Sequence, residues 1–114
     1  MYKIYGIKNC DTMKKAMTWL DEHDIAYQFH DYKKSGVDEK LLRQWAEEHG
    51  WESLVNRKGT TWRKLTESER DNIDKESAIK LMLANSSLIR RPVLDIGPFV
   101  RIGFDSDEYH ELFI

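Results

Sequence analysis

The hydrophobic period of the chain changes twice within the first 32 residues, and this pattern limits the possible folds more than any other feature. Tyr2 to Tyr5 is a short apolar run that Gly6 ends, as expected of a buried strand. A helix face follows, with apolar side chains spaced i, i+3, i+4 and i+7: Met13, Ala16, Met17 and Leu20. Residues 25–32 alternate weakly and predict a second strand, one side of which carries Ile25, Tyr27 and Phe29. Strand, helix and strand within about 30 residues predict a βαβ unit with parallel strands and a right-handed crossover.

The single cysteine, Cys10, falls between the first strand and the first helix. Ligands of such units bind beyond the carboxyl ends of the strands, and the free N–H groups and dipole of a helix N-terminus favour an anion. This place predicts a reactive thiolate, with help from three nearby lysines, Lys8, Lys14 and Lys15, and opposition from Asp11. The alternative is a small buried hydrophobe, since free cysteine is among the most buried residue types. The helix could be capped by Asn9, Asp11 or Thr12.

Met13 stands where the second cysteine of a Cys-x-x-Cys motif would stand. With one cysteine in the chain, no internal disulfide can form. Any disulfide of Cys10 must therefore join it to another molecule.

The middle of the chain, about residues 36–85, predicts a helical insertion. After a turn at residues 33–36, Asp38 caps a helix to about His49 that ends at Gly50. The pattern then predicts a helical turn at 51–55, a basic loop at 56–63, a short helix after Thr66 and a helix from 74 or 75 to 84. Residues 93–104 predict a hairpin around Gly97 and Pro98, and Ser106 could cap a last helix to about residue 112.

This order of elements predicts an α/β fold. Two strands come before the insertion and two after it, which is typical of layers around a four-stranded mixed sheet on a thioredoxin-like scaffold. At 114 residues, we expect one domain that spans residues 1–114, with the helical insertion between strands 2 and 3.

Composition and charge narrow the classes of function. The net charge is −2, whereas proteins that bind nucleic acids are usually basic, so the overall charge does not indicate nucleic-acid binding. No apolar run approaches a membrane span, and the N-terminus lacks the apolar core of a signal peptide, so with one cysteine we expect a cytoplasmic protein. We expect no metal, because the histidines are scattered: His23, His30, His49 and His110.

Two basic segments are candidates for binding an anion. A guanidinium stays charged and offers a fork of donors, so Arg91 beside Pro92 could stabilise a thiolate, whereas Arg90 could be merely solvated. The alternative is that Pro92 simply begins a strand. The segment from Arg57 to Arg63 could bind an anion, or be a solvated loop with Trp62 packed on the core.

Three segments occur together in this order: Tyr5–Thr12, Arg57–Arg63 and Arg90–Pro92. Their combination resembles the ArsC (arsenate reductase) family, most closely its Spx/YffB-like branch, over essentially the whole chain. The resemblance implies a thioredoxin-like fold, a cis Pro92 and a nucleophilic Cys10. It also implies residues that stabilise the thiolate or an anion, namely Arg57, Arg91, Lys8 and Asn9. Glutathione or substrate would be bound by Thr12, Arg57, Arg91 and Pro92.

Two departures from the family pattern bear on the reaction. The position expected to hold a third arginine aligns with Phe104, and Arg101 lies three residues earlier. A histidine found upstream of the cysteine in arsenate reductases is replaced by Gly6. These departures count against arsenate as the substrate. The resemblance to YffB-like members implies a glutathione-dependent thiol–disulfide reductase instead, with glutathione as co-substrate and a glutaredoxin as a further partner.

Three alternatives stay open at this stage. The first is an arsenate reductase coupled to glutathione and glutaredoxin. The second is a non-enzymatic, Spx-like regulator that binds RNA polymerase. The third is a redox-silent relative in which Cys10 is simply buried.

Overall fold

The computed structural model describes residues 1–114. In chain order its elements are β1 (Tyr2–Gly6), α1 (Asp11–Glu22), β2 (Tyr27–Asp31), α2 (Tyr32–Ser35), α3 (Glu39–His49), α4 (Trp51–Leu54), α5 (Thr60–Lys64), α6 (Glu67–Asp71), α7 (Lys75–Ala84), β3 (Val93–Asp95), β4 (Val100–Ile102) and α8 (Ser106–Phe113), with a 3₁₀ turn at Ser86–Leu88. None of these helices combines the length and the apolar composition that crossing a membrane requires. The chain forms two compact units, one of residues Met1–Ser35 and Arg91–Ile114, the other of Gly36–Arg90.

The first unit is built on a four-stranded mixed sheet in the order β2-β1-β3-β4. β1 is parallel to β2 and antiparallel to β3, which forms an antiparallel pair with β4. The predicted βαβ unit, the terminal hairpin and the thioredoxin-like α/β fold class are therefore confirmed.

The core of the first unit lies between one face of this sheet and the helices α1 and α8. Ile4 pairs with Phe29 on β2 and with Leu94 on β3, so all three point to the same face. Ile4 and Leu94 are fully buried in a cluster with the predicted inner face of α1 and a residue of α8: Met13, Ala16, Leu20 and Tyr109. The period-3.6 pattern therefore identified the buried face of α1 correctly.

The second unit is helical, as the insertion was predicted to be. Its core includes the predicted inner faces of α3 and α7, namely Leu42, Trp45 and Ala46 with Ala78, Ile79 and Met82. Its last segment is joined to the end of α4 and the chain that follows it by backbone hydrogen bonds of 2.7 Å from Asn56 N to Leu88 O and 2.6 Å from Arg90 N to Leu54 O. The end of this unit is thereby held against its middle.

Three local predictions were wrong because side chains satisfy backbone groups there. Strand β2 ends at Asp31, whose carboxylate accepts from Lys33 N at 2.9 Å and starts α2 in place of a simple turn. Part of the expected basic loop forms α5, and Arg70 donates at 2.8 Å to the carbonyl of Leu65 at its end. Asp105, and not the next residue, caps α8.

Candidate active site

Cys10 occupies the N-cap position of α1, where the chain leaves β1. Its backbone is extended, with φ −124° and ψ 127°, and its carbonyl accepts the first helical hydrogen bond, from Lys14 N at 3.0 Å. No side chain caps this helix, so the expectation that Asn9, Asp11 or Thr12 does so was wrong. The thiol is half-buried and is not in a disulfide. The backbone N–H groups of Thr12 and Met13 in the first turn of α1 act to lower the pKa of the Cys10 thiol.

Arg91 reaches this thiol because of the register of the sheet. β3 is antiparallel to β1, with Val93 opposite Tyr5, so the start of β3 lies at the carboxyl end of β1. Arg91 comes two residues before Val93 and forms a cis peptide bond with Pro92, as expected. Its side chain hydrogen-bonds the sulfur of Cys10. Residues from the two ends of the chain thus meet in the first unit.

The electrostatics of the site favour the thiolate. Burial raises the pKa of the Cys10 thiol, because a charged sulfur loses solvation. The hydrogen bond and charge of Arg91, together with the N–H groups of Met13 and Thr12, act in the other direction and outweigh burial. The pKa of Cys10 therefore lies below the ordinary value of a thiol. The fully buried alternative for Cys10 does not hold, since the residue keeps partial exposure.

Met13 occupies the position at which a Cys-x-x-Cys motif would have its second thiol. The residue is fully buried in the core of the first unit. It supplies a backbone N–H to the Cys10 sulfur, but its side chain packs inward, against Gly6. Cys10 accordingly stands alone at the start of α1.

The other predicted site residues of the first unit either flank Cys10 in sequence or, in the case of Pro92, follow Arg91. Lys8 and Asn9 are exposed in the turn that leads to the thiol, Thr12 is half-buried, and Pro92 is buried at the start of β3. Thr12 is tied to the site by its backbone N–H. The roles of Lys8, Asn9 and Pro92 in binding a ligand stay predictions.

Arg57 belongs to the second unit. It is exposed, and its guanidinium carbon lies 5.3 Å from the centre of the Trp62 ring, in a cation–π contact. This contact accounts for Trp62 in the basic segment, whereas the role of Arg57 toward the thiol stays a prediction.

Arg101 is engaged on another part of the first unit. Its Nε is 3.1 Å from a carboxylate oxygen of Glu108 on α8, and its guanidinium carbon lies 4.3 Å from the centre of the Phe99 ring. Phe104, at the position aligned with the third family arginine, packs edge-on against Tyr109 with ring centres 4.8 Å apart. That position therefore carries an aromatic ring of the core, and Arg101 is paired with a carboxylate.

Sequence reasoning missed one residue near this site, Tyr32. The pattern predicts Tyr32 as the last residue of the second strand, but it begins α2 and is buried, with 4% of its surface exposed. The one available signal was its place, since a residue just beyond the carboxyl end of a parallel strand lies where ligands bind. Its electrostatic interaction with Arg91 depends on the fold and has no local signal.

Comparison with known proteins identifies the family. A family model described as the ArsC family matches residues 5–112. The chain belongs to the ArsC family. Among solved structures, this ArsC-family chain is 54% identical to one described as the YffB protein, over 100% of both chains, with a TM-score of 0.96. It is 51% identical to an arsenate reductase (ArsC) related protein from Brucella melitensis, over 98% of this chain and 93% of that one, with a TM-score of 0.80.

A regulator is also among the sequence relatives. The global transcriptional regulator Spx of Streptococcus mutans is 30% identical over 95% of this ArsC-family chain and 80% of the regulator. The resemblance to the Spx/YffB-like branch is thus confirmed. The relatives include both reductase-like proteins and regulators, so the family alone does not select the activity.

Proposed function

We propose that this ArsC-family protein is a glutathione-dependent thiol–disulfide reductase that works through Cys10 alone. One observation carries the proposal: the sulfur of Cys10 sits half-buried at the start of α1, where Arg91 and two backbone N–H groups lower its pKa. A thiolate is the nucleophile in disulfide exchange, and a thiol of low pKa is also a good leaving group. Both properties suit a cysteine that must form a mixed disulfide and then be released from it.

The cycle balances with glutathione as the only reductant. The Cys10 thiolate attacks one sulfur of a substrate disulfide, forms a mixed disulfide and releases the other sulfur as a thiolate. A first glutathione thiolate attacks the Cys10 sulfur, releases the second substrate thiolate and leaves Cys10 joined to glutathione. A second glutathione thiolate attacks the glutathione sulfur of that mixed disulfide, which frees Cys10 and forms oxidised glutathione. A glutaredoxin could take the place of this second glutathione.

The residues around Cys10 would hold the peptide during these steps. The guanidinium of Arg91 suits a carboxylate of glutathione, and the N–H of Thr12 lies at the same helix N-terminus. The backbone beside Pro92 could pair with the bound peptide as an added strand. We assign supporting roles in anion binding to Lys8 and Asn9. The cytoplasm would supply the reduced glutathione that the cycle needs.

Mass spectrometry after incubation with oxidised glutathione tests the proposal. At several pH values, we expect one glutathione adduct on Cys10 that forms with a midpoint below about pH 8.5, and that reduced glutathione removes. The variant Cys10→Ser is the control and should form no adduct. An intact thiol at every pH, or a midpoint at or above that of a free cysteine, would refute the assignment.

Arsenate reduction is a second candidate, because a relative 51% identical is described as arsenate reductase related. An oxyanion needs several cationic donors, and in this chain Arg101 is paired with Glu108. We therefore expect little or no turnover in an assay that couples arsenate, glutathione and glutaredoxin to NADPH oxidation. Turnover comparable to that of an arsenate reductase in the same assay would favour this candidate.

A regulator that binds RNA polymerase is the third candidate, since the Spx protein of Streptococcus mutans is 30% identical. Regulators of that type often carry Cys-x-x-Cys as their oxidant sensor, and Met13 replaces its second thiol here. We expect purified RNA polymerase not to bind the immobilised protein. Binding that depends on the oxidation state of Cys10 would favour the regulator.

A further inference from the structure

Tyr32 lies at the same end of the sheet as the reactive thiol. It directly follows β2, which is parallel to β1 with Asp31 opposite Gly6, and Cys10 follows β1. Its side chain is buried, and its hydroxyl oxygen has no hydrogen-bond partner. A buried hydroxyl without a partner loses its bonds to water and gains nothing in return, so it calls for an explanation.

The surroundings of Tyr32 are aromatic, with one cation. Its ring stacks on Tyr5, with centres 6.4 Å apart and planes at 23°, and meets the edge of His30 at 6.0 Å. Tyr5 pairs with Val93, which comes two residues after Arg91, so the sheet register brings the start of β3 toward these rings. The titratable and charged groups that face Tyr32 are Tyr5, His30 and Arg91.

The Tyr32 hydroxyl is uncharged and interacts with the positive charge of Arg91. Burial and the phenol of Tyr5 raise the pKa of Tyr32 well above its usual range, whereas the guanidinium of Arg91 acts to lower it. The hydroxyl therefore stays protonated at working pH and can only donate or accept a hydrogen bond. A guanidinium presents five N–H donors in a planar fork, so Arg91 can serve the Cys10 sulfur and a second acceptor together.

We infer that Tyr32 is a positioning residue, whose buried hydroxyl is joined to Arg91 through one buried water, and that this link holds the guanidinium against the Cys10 sulfur. The inference deepens the proposed function, since it rests on the Cys10 thiolate. When Cys10 enters a mixed disulfide its sulfur loses its charge, and Arg91 loses the anion that attracts it. Tyr32 then keeps the guanidinium in place until the thiolate leaves again.

The test compares two buried phenols. Tyr109 is the matched control, because its hydroxyl is also buried without a partner, while its charged neighbour is Glu108 and not Arg91. The rate of Cys10 alkylation by iodoacetamide is measured against pH. We expect Tyr32→Phe to shift the midpoint upward by about 0.5–1 pH unit, the size of one ordinary hydrogen bond, and Tyr109→Phe to leave it unchanged.

A double variant separates positioning from a general loss of packing. Once Arg91→Ala has removed the guanidinium, Tyr32→Phe should shift the midpoint no further. An unchanged midpoint in Tyr32→Phe, an equal shift in Tyr109→Phe, or a full second shift in the double variant would overturn the inference. Alkylation needs no glutathione, so this result stands apart from the glutathione adduct on which the proposed function depends.

One measurement needs no variant and serves if Tyr32→Phe fails to fold. In wild-type protein labelled with ¹⁵N-arginine, the side-chain N–H signal of Arg91 should stay protected from exchange after Cys10 is alkylated, because Tyr32 still holds it. Loss of that protection on alkylation would show that the thiolate alone positions Arg91, and would overturn the inference.

Discussion

The sulfur of Met13 lies against the backbone of Gly6, in the space that a β-carbon on residue 6 would occupy. Both residues are buried, one at the end of β1 and the other in the first turn of α1. The glycine at position 6 and the methionine at position 13 are therefore physically linked. A β-carbon on residue 6 would collide with the Met13 side chain as it is placed here, so the two residues share one space.

The variant Gly6→Ala should destabilise the protein because it overpacks this contact. We expect a loss of about 1–3 kcal/mol in the free energy of unfolding, measured by urea titration. Met13→Ala alone should cost about 2–5 kcal/mol, since it leaves a cavity. In the double variant the new methyl group enters that cavity. The double variant should therefore lose less free energy of unfolding than the sum of the two single losses. Full additivity would mean that the two side chains do not compete for one space.

Replacement of Arg91 should make Cys10 a weaker acid. Arg91→Ala removes a hydrogen bond and a positive charge from the thiolate, so we expect the pKa of Cys10 to rise by about one unit. Alkylation rates as a function of pH measure this shift. Arg101→Ala is the matched control, because Arg101 pairs with Glu108, and it should leave the pKa unchanged. Equal shifts of the Cys10 pKa in the two variants would show that Arg91 does not specifically stabilise the thiolate.

The ionisation of Cys10 should make folding stability depend on pH. Because the folded protein holds the pKa of Cys10 below its unfolded value of about 8.5, the unfolded chain binds more protons between the two values. The thiolate's contribution is therefore complete above about pH 8.5 and is lost as pH falls through the folded pKa. The free energies of unfolding of wild type and Cys10→Ala, measured by urea titration at several pH values, should diverge as pH rises through this window. A difference independent of pH would contradict the lowered pKa.

The second unit depends on a capping box at Thr66. Its hydroxyl accepts from Glu69 N at 3.0 Å, and the Glu69 carboxylate accepts from Thr66 N at 2.8 Å. Thr66→Ala should lower the free energy of unfolding by about 1 kcal/mol, measured by urea titration. Thr18→Ala, at an exposed position inside α1, is the control and should cost nothing, because alanine is the better helix former. An unchanged free energy of unfolding in Thr66→Ala would show that this cap does not stabilise the folded state.

Most of the fold could be predicted from local patterns. The inner face of α1 and the helices α3 and α7 follow from hydrophobic period and capping residues, which depend on residues a few positions apart. The errors fell at short elements such as α2 and α5, where single side-chain hydrogen bonds decide between turn and helix. Such contacts involve individual atoms and leave no periodic signal.

The candidate site was predictable in part. The thiol at the start of a helix follows from strand, glycine and helix pattern around Cys10. Arg91 was one of several arginines that could serve it, and the pattern did not distinguish its surroundings from those of Arg101. Tyr32 was not identified at all, because nothing in its neighbours marks a buried hydroxyl.

The sequence by itself determined that one cysteine would stand at the N-terminus of the first helix, without a second thiol to resolve it. Both facts are local, since they depend on residue identity and on the period of about twenty neighbouring residues. Only the tertiary structure decided that Arg91 hydrogen-bonds this cysteine, that Arg101 pairs with Glu108, and that Met13 packs against Gly6. For Arg91 and Cys10 the reason is the antiparallel register of β3 on β1, which brings together residues from opposite ends of the chain and is set by the packing of the whole sheet.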